Sequence, residues 1–359
     1  MSSPALRILA GPTALSLLRA DGFDPDAFSV MAGASGGAKW LVLCGLDHAL
    51  AEHFVARRRS KLFLVGSSIG AWRSCCHAQA DPLAAFARFE EAYLDQRYSA
   101  HPSAAEVSRV TAGILDALLG ERGVTEILAH PLLRLNIVAD RARGVAAVET
   151  PWVQKLALGA AAMANIVSPA AVRMFFARTL FHDPRDAPPF MDPRRLPAVN
   201  VPLSPDNLAP AVMATGAVPL VLRGVPAIPG APPGLYRDGG IIDYHFNCDL
   251  SGGDGLVLYP HFYPHVVPGW FDKMLPWRRA GAAALDRTVV LCPSDAFVAG
   301  LPGGKIPDRQ DFWNFDAAER LRRWRFALQA SRRLGEEFAE LVAAGRLPAR
   351  VEPLAQVRD

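Results

Sequence analysis

The chain has 359 residues, of which 51% are hydrophobic and 20% charged; this composition excludes a disordered protein and can bury one large core or two modest ones. With 38 Lys and Arg residues against 35 Asp and Glu residues, the formal charge is +3, so we expect neither a nucleic acid nor an acidic partner. The five cysteines show no C-x-x-C pair and no metal-ligand spacing, so we expect reduced thiols, no bound metal and a cytoplasmic protein.

The amino-terminal apolar stretch, residues 8–18, superficially resembles a signal peptide. Gly11 and Pro12 interrupt it and no small-x-small cleavage pattern precedes Arg19, so we predict a short helix that begins at Pro12 instead. The longest uncharged runs, 156–172 and 255–271, are shorter than the ~20 residues of a spanning helix. We therefore predict no membrane span.

A glycine-rich loop, residues 33–39, follows the first predicted buried strand, residues 27–33, and opens an apolar segment at helical spacing. Backbone N–H groups at such a helix start can hold a phosphate, a dinucleotide pyrophosphate or the oxyanion of a tetrahedral intermediate. The loop is neither G-x-G-x-x-G nor a Walker loop ending in G-K-[ST]. Nucleotide binding is therefore the weaker interpretation.

The second predicted strand, residues 62–65, runs into the sequence G-S-S-I-G at 66–70 and then into a helix-compatible segment. This is the setting of a G-x-S-x-G nucleophile elbow, in which Ser68 is the nucleophile and Gly66 and Gly70 relieve crowding. An ordinary strand-to-helix turn is the alternative. Strand–helix alternation over the first ~80 residues predicts a parallel sheet, which would bring the glycine loop beside Ser68.

Later elements up to residue 150 are predicted to be scaffold. Cys75 and Cys76 are expected to be buried apolar residues, and His77 lies too far along its helix to act as a base for Ser68. The other predicted elements are a helix capped by Asp81-Pro82, a helix with a capping box of Ser103 and Glu106, and a strand at 132–139.

The apolar region 152–181, broken at Pro169, has two interpretations: a pair of core helices, or a wall or lid of an acyl-chain pocket. A proline-rich loop follows, and Ser204-Pro205 predicts a helix start. Further on, Asp238-Gly239-Gly240 taken alone predicts a tight turn.

Two later segments carry alternatives that concern membranes. Aromatic and basic residues at 262–279 fit either a loop packed on the core or a membrane interface, which makes peripheral membrane contact one possible interaction. Residues 311–344 predict one or two helices whose arginines form a solvated face or contact anionic lipid.

Four segments in this order resemble the patatin-like phospholipase family: S-G-G-A-K at 35–39, G-S-S-I-G-A at 66–71, A-T-G-A-V-P at 214–219 and D-G-G at 238–240. The resemblance covers roughly residues 27–295. Two positions depart from the family pattern, with Ser35 at the usual first glycine of the loop and Trp40 at its last.

The resemblance implies an α/β fold, a three-layer sandwich with a mostly parallel central sheet and helices on both faces. It implies a catalytic domain at 1–300, with the lid candidate at about 152–181, and a helical extension at 301–359. The implied chemistry is a Ser68–Asp238 dyad that needs no metal and no organic cofactor. The other implied site residues are the oxyanion donors Gly36, Gly37 and Ala38, the supporting glycines Gly66, Gly70, Gly239 and Gly240, and Lys39, which adds positive potential or braces the loop.

By this resemblance, the expected function is hydrolysis of ester bonds in phospholipids or other acyl lipids through a covalent acyl-enzyme. One alternative is an acyltransferase that uses the same nucleophile. Another is a non-catalytic lipid- or nucleotide-binding module. A Ser–His–Asp triad with His261 or His265 after Asp238 is the alternative to the dyad.

Overall fold

One sheet of 11 strands organises the chain in the computed structural model, which describes residues 3–354. The strands are β1 (Leu6–Ala10), β2 (Phe28–Gly33), β3 (Leu62–Ser67), β4 (Leu133–Ala142), β5 (Phe176–His182), β6 (Val199–Pro202), β7 (Val225–Pro226), β8 (Leu235–Asp238), β9 (Leu256–Pro260), β10 (Thr288–Pro293) and β11 (Val351–Pro353).

The α-helices lie mainly between these strands. They are α1 (Pro12–Asp21), α2 (Cys44–His53), α3 (Ile69–His77), α4 (Pro82–Leu94), α5 (Ala104–Leu119), α6 (Gly123–Ala129), α7 (Pro151–Val167), α8 (Leu208–Thr215), α9 (Asp295–Ala299), α10 (Asp311–Asn314) and α11 (Ala317–Ala343). Short 3₁₀ helices include Gly37–Leu43, Pro169–Met174, Gly239–Ile241 and Trp270–Met274.

The centre of the sheet is parallel, in the order β10-β9-β2-β3-β4. Its strands are apolar runs buried almost throughout, as expected for parallel strands covered by other elements. Gly33 at the end of β2 lies in register with Gly66 near the end of β3. The predicted α/β fold with a mostly parallel sheet is therefore confirmed, and both glycine-containing loops leave the same edge of the sheet.

Strand β8 brings Asp238 to the end of β3. β4 pairs with β3 as far as Val138, opposite Ser67, and with β5 along its other side. β8 runs antiparallel to β4 at the next positions, with Asp238 opposite Ala139. Because β5 already occupies one side of β4, β8 must pair with the other side, just beyond the point at which β3 ends. The last residue of β8 thus meets the last residue of β3.

Residues 152–181 do not form the predicted pair of core helices. α7 is followed by the 3₁₀ helix and then by β5, so the second half of the segment is a strand antiparallel to β4. α7 buries Ala157, Leu158 and Ala161 together with two polar residues, while Trp152 and Leu156 are each 66% exposed. Across residues 3–354, no helix combines the length and hydropathy that a membrane crossing requires.

The predicted helix start at Ser103 is confirmed without its full capping box, and the predicted helix start at Ser204 differs from the structure. Ser103 caps α5 by accepting a hydrogen bond from Glu106 N at 3.2 Å, but the Glu106 carboxylate accepts from Ser99 N at 2.7 Å, so the capping box is only half formed. α8 begins at Leu208 rather than after Ser204, because Asn207 Oδ1 accepts from Ser204 N at 2.8 Å and holds a turn there.

The carboxy-terminal residues are built into the same core as the rest of the chain. α11 packs so closely on α2 that a Cβ on Gly335 would lie 2.1 Å from Gly45 O. β11 pairs with β1, and buried residues from 301 to 351 belong to the same hydrophobic cluster as the parallel strands. The predicted extension at 301–359 therefore shares its core with residues 1–300, over the part that the structure describes.

Candidate active site

Ser68 lies at a strained turn between β3 and α3. Its backbone has φ 51° and ψ −133°, a combination that side-chain-bearing residues seldom adopt. A Cβ on Gly66 would lie 2.4 Å from Ala71 N, and one on Gly70 would lie 2.2 Å from Gly33 O. The predicted strand–turn–helix geometry and the need for both glycines are therefore confirmed.

The Ser68 hydroxyl donates a hydrogen bond to Asp238, with Oγ and Oδ2 separated by 2.8 Å. The other carboxylate oxygen, Oδ1, accepts from Gly240 N at 2.7 Å. This approach requires glycines after Asp238, because a Cβ on Gly239 would lie 2.1 Å from Val138 O. The two side chains that the sequence analysis paired are thus in direct contact, and both are buried.

Burial raises the pKa of Asp238 to about 6, while hydrogen bonds from Ser68 and from Gly240 N oppose that rise. At pH 7 the carboxylate remains mostly ionised. It is also more basic than an ordinary aspartate, so it can accept the serine proton at lower energetic cost.

The glycine loop has three N–H groups without an intramolecular acceptor. Within residues 3–354, the N–H groups of Gly36, Gly37 and Ala38 donate no hydrogen bond. Gly37 has φ 56°, which favours glycine there, and a Cβ on Gly36 would lie 2.6 Å from the Phe262 ring. Gly37 and Ala38 line one cavity with Ser68, and Gly36 lines a second cavity with Ser68, so all three residues border space that the serine also borders.

The serine that departs from the family pattern ties the loop to the elbow. Ser35 Oγ lies 2.6 Å from Ser67 Oγ, which in turn donates to Asp243 O at 2.6 Å. The Ser35 backbone N–H also donates to Tyr244 O at 3.0 Å. Ser35 therefore connects β2, β3 and the turn after Asp238, a role that a glycine could not fill.

Sequence reasoning missed the role of Thr215. Its Oγ1 accepts a hydrogen bond from Ser68 N at 2.8 Å and donates to Val138 O. The Ser68 N–H is thus occupied and is not an oxyanion donor. The signal was present in the A-T-G-A-V-P segment, but the motif alone does not indicate which atom the threonine binds.

The other candidate nucleophiles and bases are not arranged for catalysis. Burial raises the pKa of the Cys75 thiol to about 12 and that of the Cys76 thiol well above its usual value. His261 Nδ1 contacts Tyr263 N at 2.9 Å, and burial lowers the pKa of His261 to about 3. Neither His261 nor His265 lines the cavities beside Ser68, so the structure does not form the alternative triad.

Two cavities meet at Ser68, and the first is mostly apolar. This apolar cavity has a volume of about 550 Å³ and is lined by α3, α4, α5 and the segment around α10, with apolar side chains that include Trp72, Val107, Ile114, Phe312 and Phe315. Three arginines, Arg97, Arg309 and Arg320, also line it. No side chain from residues 152–181 lines either cavity. The wall of the acyl pocket predicted for that segment is therefore formed by other elements, and a lid role stays a prediction.

The second cavity, of about 380 Å³, is lined by three cationic side chains, so we call it the cationic cavity. It is lined by Ser68, Asp238, the glycine loop and residues from two distant segments, Lys273 and Arg309. Lys39 lines this cavity; its backbone N–H donates to Gly36 O at 3.4 Å, but within the described residues its side chain donates no hydrogen bond to the loop. Of the two roles expected for Lys39, this arrangement favours a contribution of positive potential over bracing of the glycine loop.

Comparison with protein-family models gave no match, and comparison with curated proteins gave no significant match. In the part of the chain that the structure describes, no group of three His, Cys, Asp or Glu residues is arranged to hold a metal ion. Functional inference for this protein therefore depends on the residues of the site themselves.

Proposed function

We propose that the protein is a patatin-like serine acyl hydrolase that cleaves ester bonds of phospholipids or other acyl lipids. The observation that carries the proposal is the 2.8 Å hydrogen bond from Ser68, at a strained elbow, to the buried Asp238. The five-stranded parallel centre of the sheet also supports the three-layer arrangement implied by the family resemblance. The proposed reaction requires no metal or cofactor, because a carboxylate supplies the base.

In the proposed first step, Ser68 Oγ attacks the ester carbonyl carbon as Asp238 Oδ2 accepts the hydroxyl proton. The N–H groups of Gly36, Gly37 and Ala38 stabilise the oxyanion. Asp238 then returns the proton to the leaving alcohol as the carbon–oxygen bond breaks, which leaves an acyl group on Ser68. In the second step Asp238 takes a proton from water and the resulting hydroxide attacks the acyl carbonyl carbon. The bond to Ser68 Oγ then breaks, Asp238 returns the proton to Ser68 Oγ, and the fatty acid leaves.

The apolar cavity supports an acyl chain as the group that is transferred to Ser68. Its volume of about 550 Å³ lies in the range of about 300–1,000 Å³ that is usual for small-ligand sites. Acyl transfer to another alcohol or thiol would use the same first step. It differs only in the acceptor that enters after the leaving alcohol departs.

A fluorophosphonate probe tests the proposed nucleophile directly. We expect labelling of the native protein at Ser68, none of Ser68→Ala, and slow labelling of Asp238→Asn. Products formed from a phospholipid in water, with and without an added alcohol, then distinguish hydrolysis from acyl transfer. Labelling elsewhere, or of neither protein, would contradict the proposal and favour a non-catalytic binding module.

We also propose that the protein contacts membranes peripherally through one apolar face. Eight large apolar side chains there are half or more exposed: Trp152, Leu156, Met163, Ile166, Val167, Met174, Met274 and Trp277. Hydrogen bonds from Asn165 to Asp272 and from Arg278 to Asn165 O join α7 to the segment 270–278. Trp270 and Lys273, next to Met274, line the cationic cavity, so a membrane at this face would lie near its mouth.

Charge supports an anionic membrane as the occupant of this apolar face. Residues 151–182 contain no Asp or Glu, while Lys155 and Arg173 are exposed. We expect the native protein to float with vesicles that contain phosphatidylglycerol, and Trp152→Gln/Val167→Gln to remain in solution. Hydrolysis of a soluble short-chain ester should be unchanged in that variant. Flotation equal to the native protein, or concentration-dependent dimerisation lost in the variant, would contradict the membrane assignment.

A further inference from the structure

The cationic cavity gathers three positive side chains from three separate parts of the chain. Lys39 comes from the glycine loop, Lys273 from the 3₁₀ helix at 270–274, and Arg309 from the segment before α10. Arg309 lies between the two cavities and lines both, whereas Lys39 and Lys273 line only the cationic cavity. Within residues 3–354, none of the three forms an ion pair or donates a side-chain hydrogen bond. Three uncompensated cations around one small cavity repel one another, so their position needs a physical reason.

The two carboxylates that line this cavity already have other partners. Asp238 binds Ser68 and Gly240 N. Asp308 lies 3.2 Å from Lys305 and accepts from Gln310 N at 2.8 Å. Neither is a direct counter-ion for Lys39, Lys273 or Arg309. The cavity therefore retains positive charge beside the nucleophile.

Lys273 is held by the same structure that holds the glycine loop. Its Nζ lies 3.7 Å from the centre of the Tyr244 ring, and Tyr244 O accepts the hydrogen bond from Ser35 N. Desolvation by the surrounding protein, with added repulsion from Lys39 and Arg309, lowers the pKa of Lys273 to about 7. Because more than a third of the Lys273 side chain remains exposed, water screens part of this effect.

The two cavities offer different surroundings to the two sides of an ester at Ser68, since one is lined mainly by apolar side chains and the other carries Lys39 and Lys273. If the acyl chain occupies the apolar cavity, the alcohol that leaves projects into the cationic cavity, because Ser68 lines both. A phosphate or carboxylate on that alcohol would receive charge-assisted hydrogen bonds from the free cations. It would also offset their mutual repulsion.

We propose that the cationic cavity is an anion-binding subsite that recognises the leaving alcohol of the substrate through Lys39, Lys273 and Arg309. The preferred substrates are then acyl esters of alcohols that carry a phosphate or carboxylate group, ahead of esters of neutral alcohols. This inference rests on the proposed acyl hydrolase function for its kinetic consequence. Anion binding itself does not require catalysis.

Binding can be measured on Ser68→Ala, in which no turnover occurs. We expect calorimetric titration to give glycerol 3-phosphate or glycerate an affinity at least about 10-fold greater than that of glycerol, since a hydrogen bond to a charged group contributes about 1.5–3 kcal/mol. Whichever of the two anions binds more tightly shows whether the cavity prefers a phosphate or a carboxylate group. Equal, weak binding of all three compounds would overturn the proposal, whatever the activity of the native protein.

Kinetics then test which residues provide the selectivity. The substrates are a 1-acylglycerol 3-phosphate and the matching monoacylglycerol, both below their micelle concentrations. In Lys273→Gln and Arg309→Gln we expect the ratio of the two kcat/KM values, anionic over neutral, to fall by at least about 10-fold. Lys273→Arg should restore most of that ratio.

Arg333→Gln is the matched control, because it removes one positive charge from an exposed position on α11 outside both cavities. We expect its selectivity ratio to equal that of the native protein. An equal loss on both substrates in Lys273→Gln, or a similar ratio change in Arg333→Gln, would assign the cations a structural or long-range role instead. If fluorophosphonate failed to label Ser68, the proposed acyl hydrolase function would be wrong. The calorimetric titration would still show whether the cationic cavity binds anions.

Discussion

The apolar cavity and the cationic cavity share Ser68, Gly37, Val218, Arg309 and Trp313 but differ in most of the other side chains that line them. The first is lined mainly by aliphatic and aromatic side chains from helices, whereas the second is lined by the glycine loop, Asp238 and three unpaired cations. A lipid ester has the same asymmetry, with a chain on one side of the carbonyl and an alcohol on the other. In the proposed reaction, specificity is divided between these two regions, and the buried Ser68–Asp238 pair lies between them.

Loss of the Ser68–Asp238 pair should reduce activity equally on anionic and on neutral esters, because both would use the same nucleophile and base. Asp238→Asn removes the base, so we expect kcat/KM to fall by roughly 10²–10⁴-fold for anionic and neutral esters alike. In the native protein the base form dominates above the Asp238 pKa of about 6, so kcat/KM should rise with pH through that value and level off above it.

The matched control for this prediction is His265→Ala, which tests the alternative triad. We expect that variant to retain most activity, because His265 lines neither cavity beside Ser68. The opposite pattern, with an inactive His265→Ala and an active Asp238→Asn, would contradict the dyad.

A larger side chain in the apolar cavity should reduce activity on long-chain esters selectively. Val107 on α5 lines this cavity, so Val107→Trp should shorten the space for an acyl chain. Across a series of p-nitrophenyl esters, we expect kcat/KM for long chains to fall by at least about 10-fold, with short chains much less affected. A uniform loss at all chain lengths would indicate a general disturbance of the site rather than a chain-binding cavity.

The cationic cavity should respond to pH in the opposite direction to the base. Lys273, which faces Lys39, Arg309, Asp238 and Asp308, binds an anion only when protonated, and that form is lost as pH rises through about 7. The preference for an anionic over a neutral ester should therefore weaken by roughly several-fold between about pH 6 and about pH 8.5.

A phosphodiester substrate is needed for that measurement, because a phosphomonoester itself titrates near pH 6. Lys273→Arg provides the control, since its guanidinium stays protonated and its anion preference should not change with pH. If the native protein's preference for the anionic ester stayed constant over this pH range, Lys273 would not be one of the groups that bind the anion.

The sequence was sufficient for the local motifs but not for the residues that come together from a distance. Ser68 was predictable because a strained elbow requires glycines at fixed spacing. Asp238 taken alone predicted only a tight turn, and its pairing with Ser68 was implied by the family resemblance. The cationic role of Lys273 and Arg309 was not predictable, because neither belongs to a motif and only the fold places them beside Lys39.

The apolar segment 152–181 shows a different limit of sequence reasoning. Hydrophobic periodicity identifies one face of α7, but it does not say whether that face is buried. Here Ala157 and Ala161 face the core, while Trp152 and Met163 face outward. The second half of the segment was assigned to a helix, yet its residues pair with β4 as a strand, since tertiary pairing overrode a mixed local pattern.

The smallest expected effect concerns the strain that holds the nucleophile between the two cavities. Ser68→Ala and Ser68→Gly both lose the hydrogen bond to Asp238 and leave the backbone N–H that binds Thr215 unchanged. Their stabilities therefore differ mainly by the strain of alanine at φ 51°, less the greater unfolded-chain entropy of glycine. We expect the strain to be the larger effect, so Ser68→Gly should be more stable than Ser68→Ala by about 1 kcal/mol in urea unfolding. If Ser68→Ala were equally or more stable, the strain at the elbow would not exceed that entropy difference, and hydrogen bonds to Thr215 and Asp238 would be the main constraint on the serine between the chain-binding and anion-binding sides.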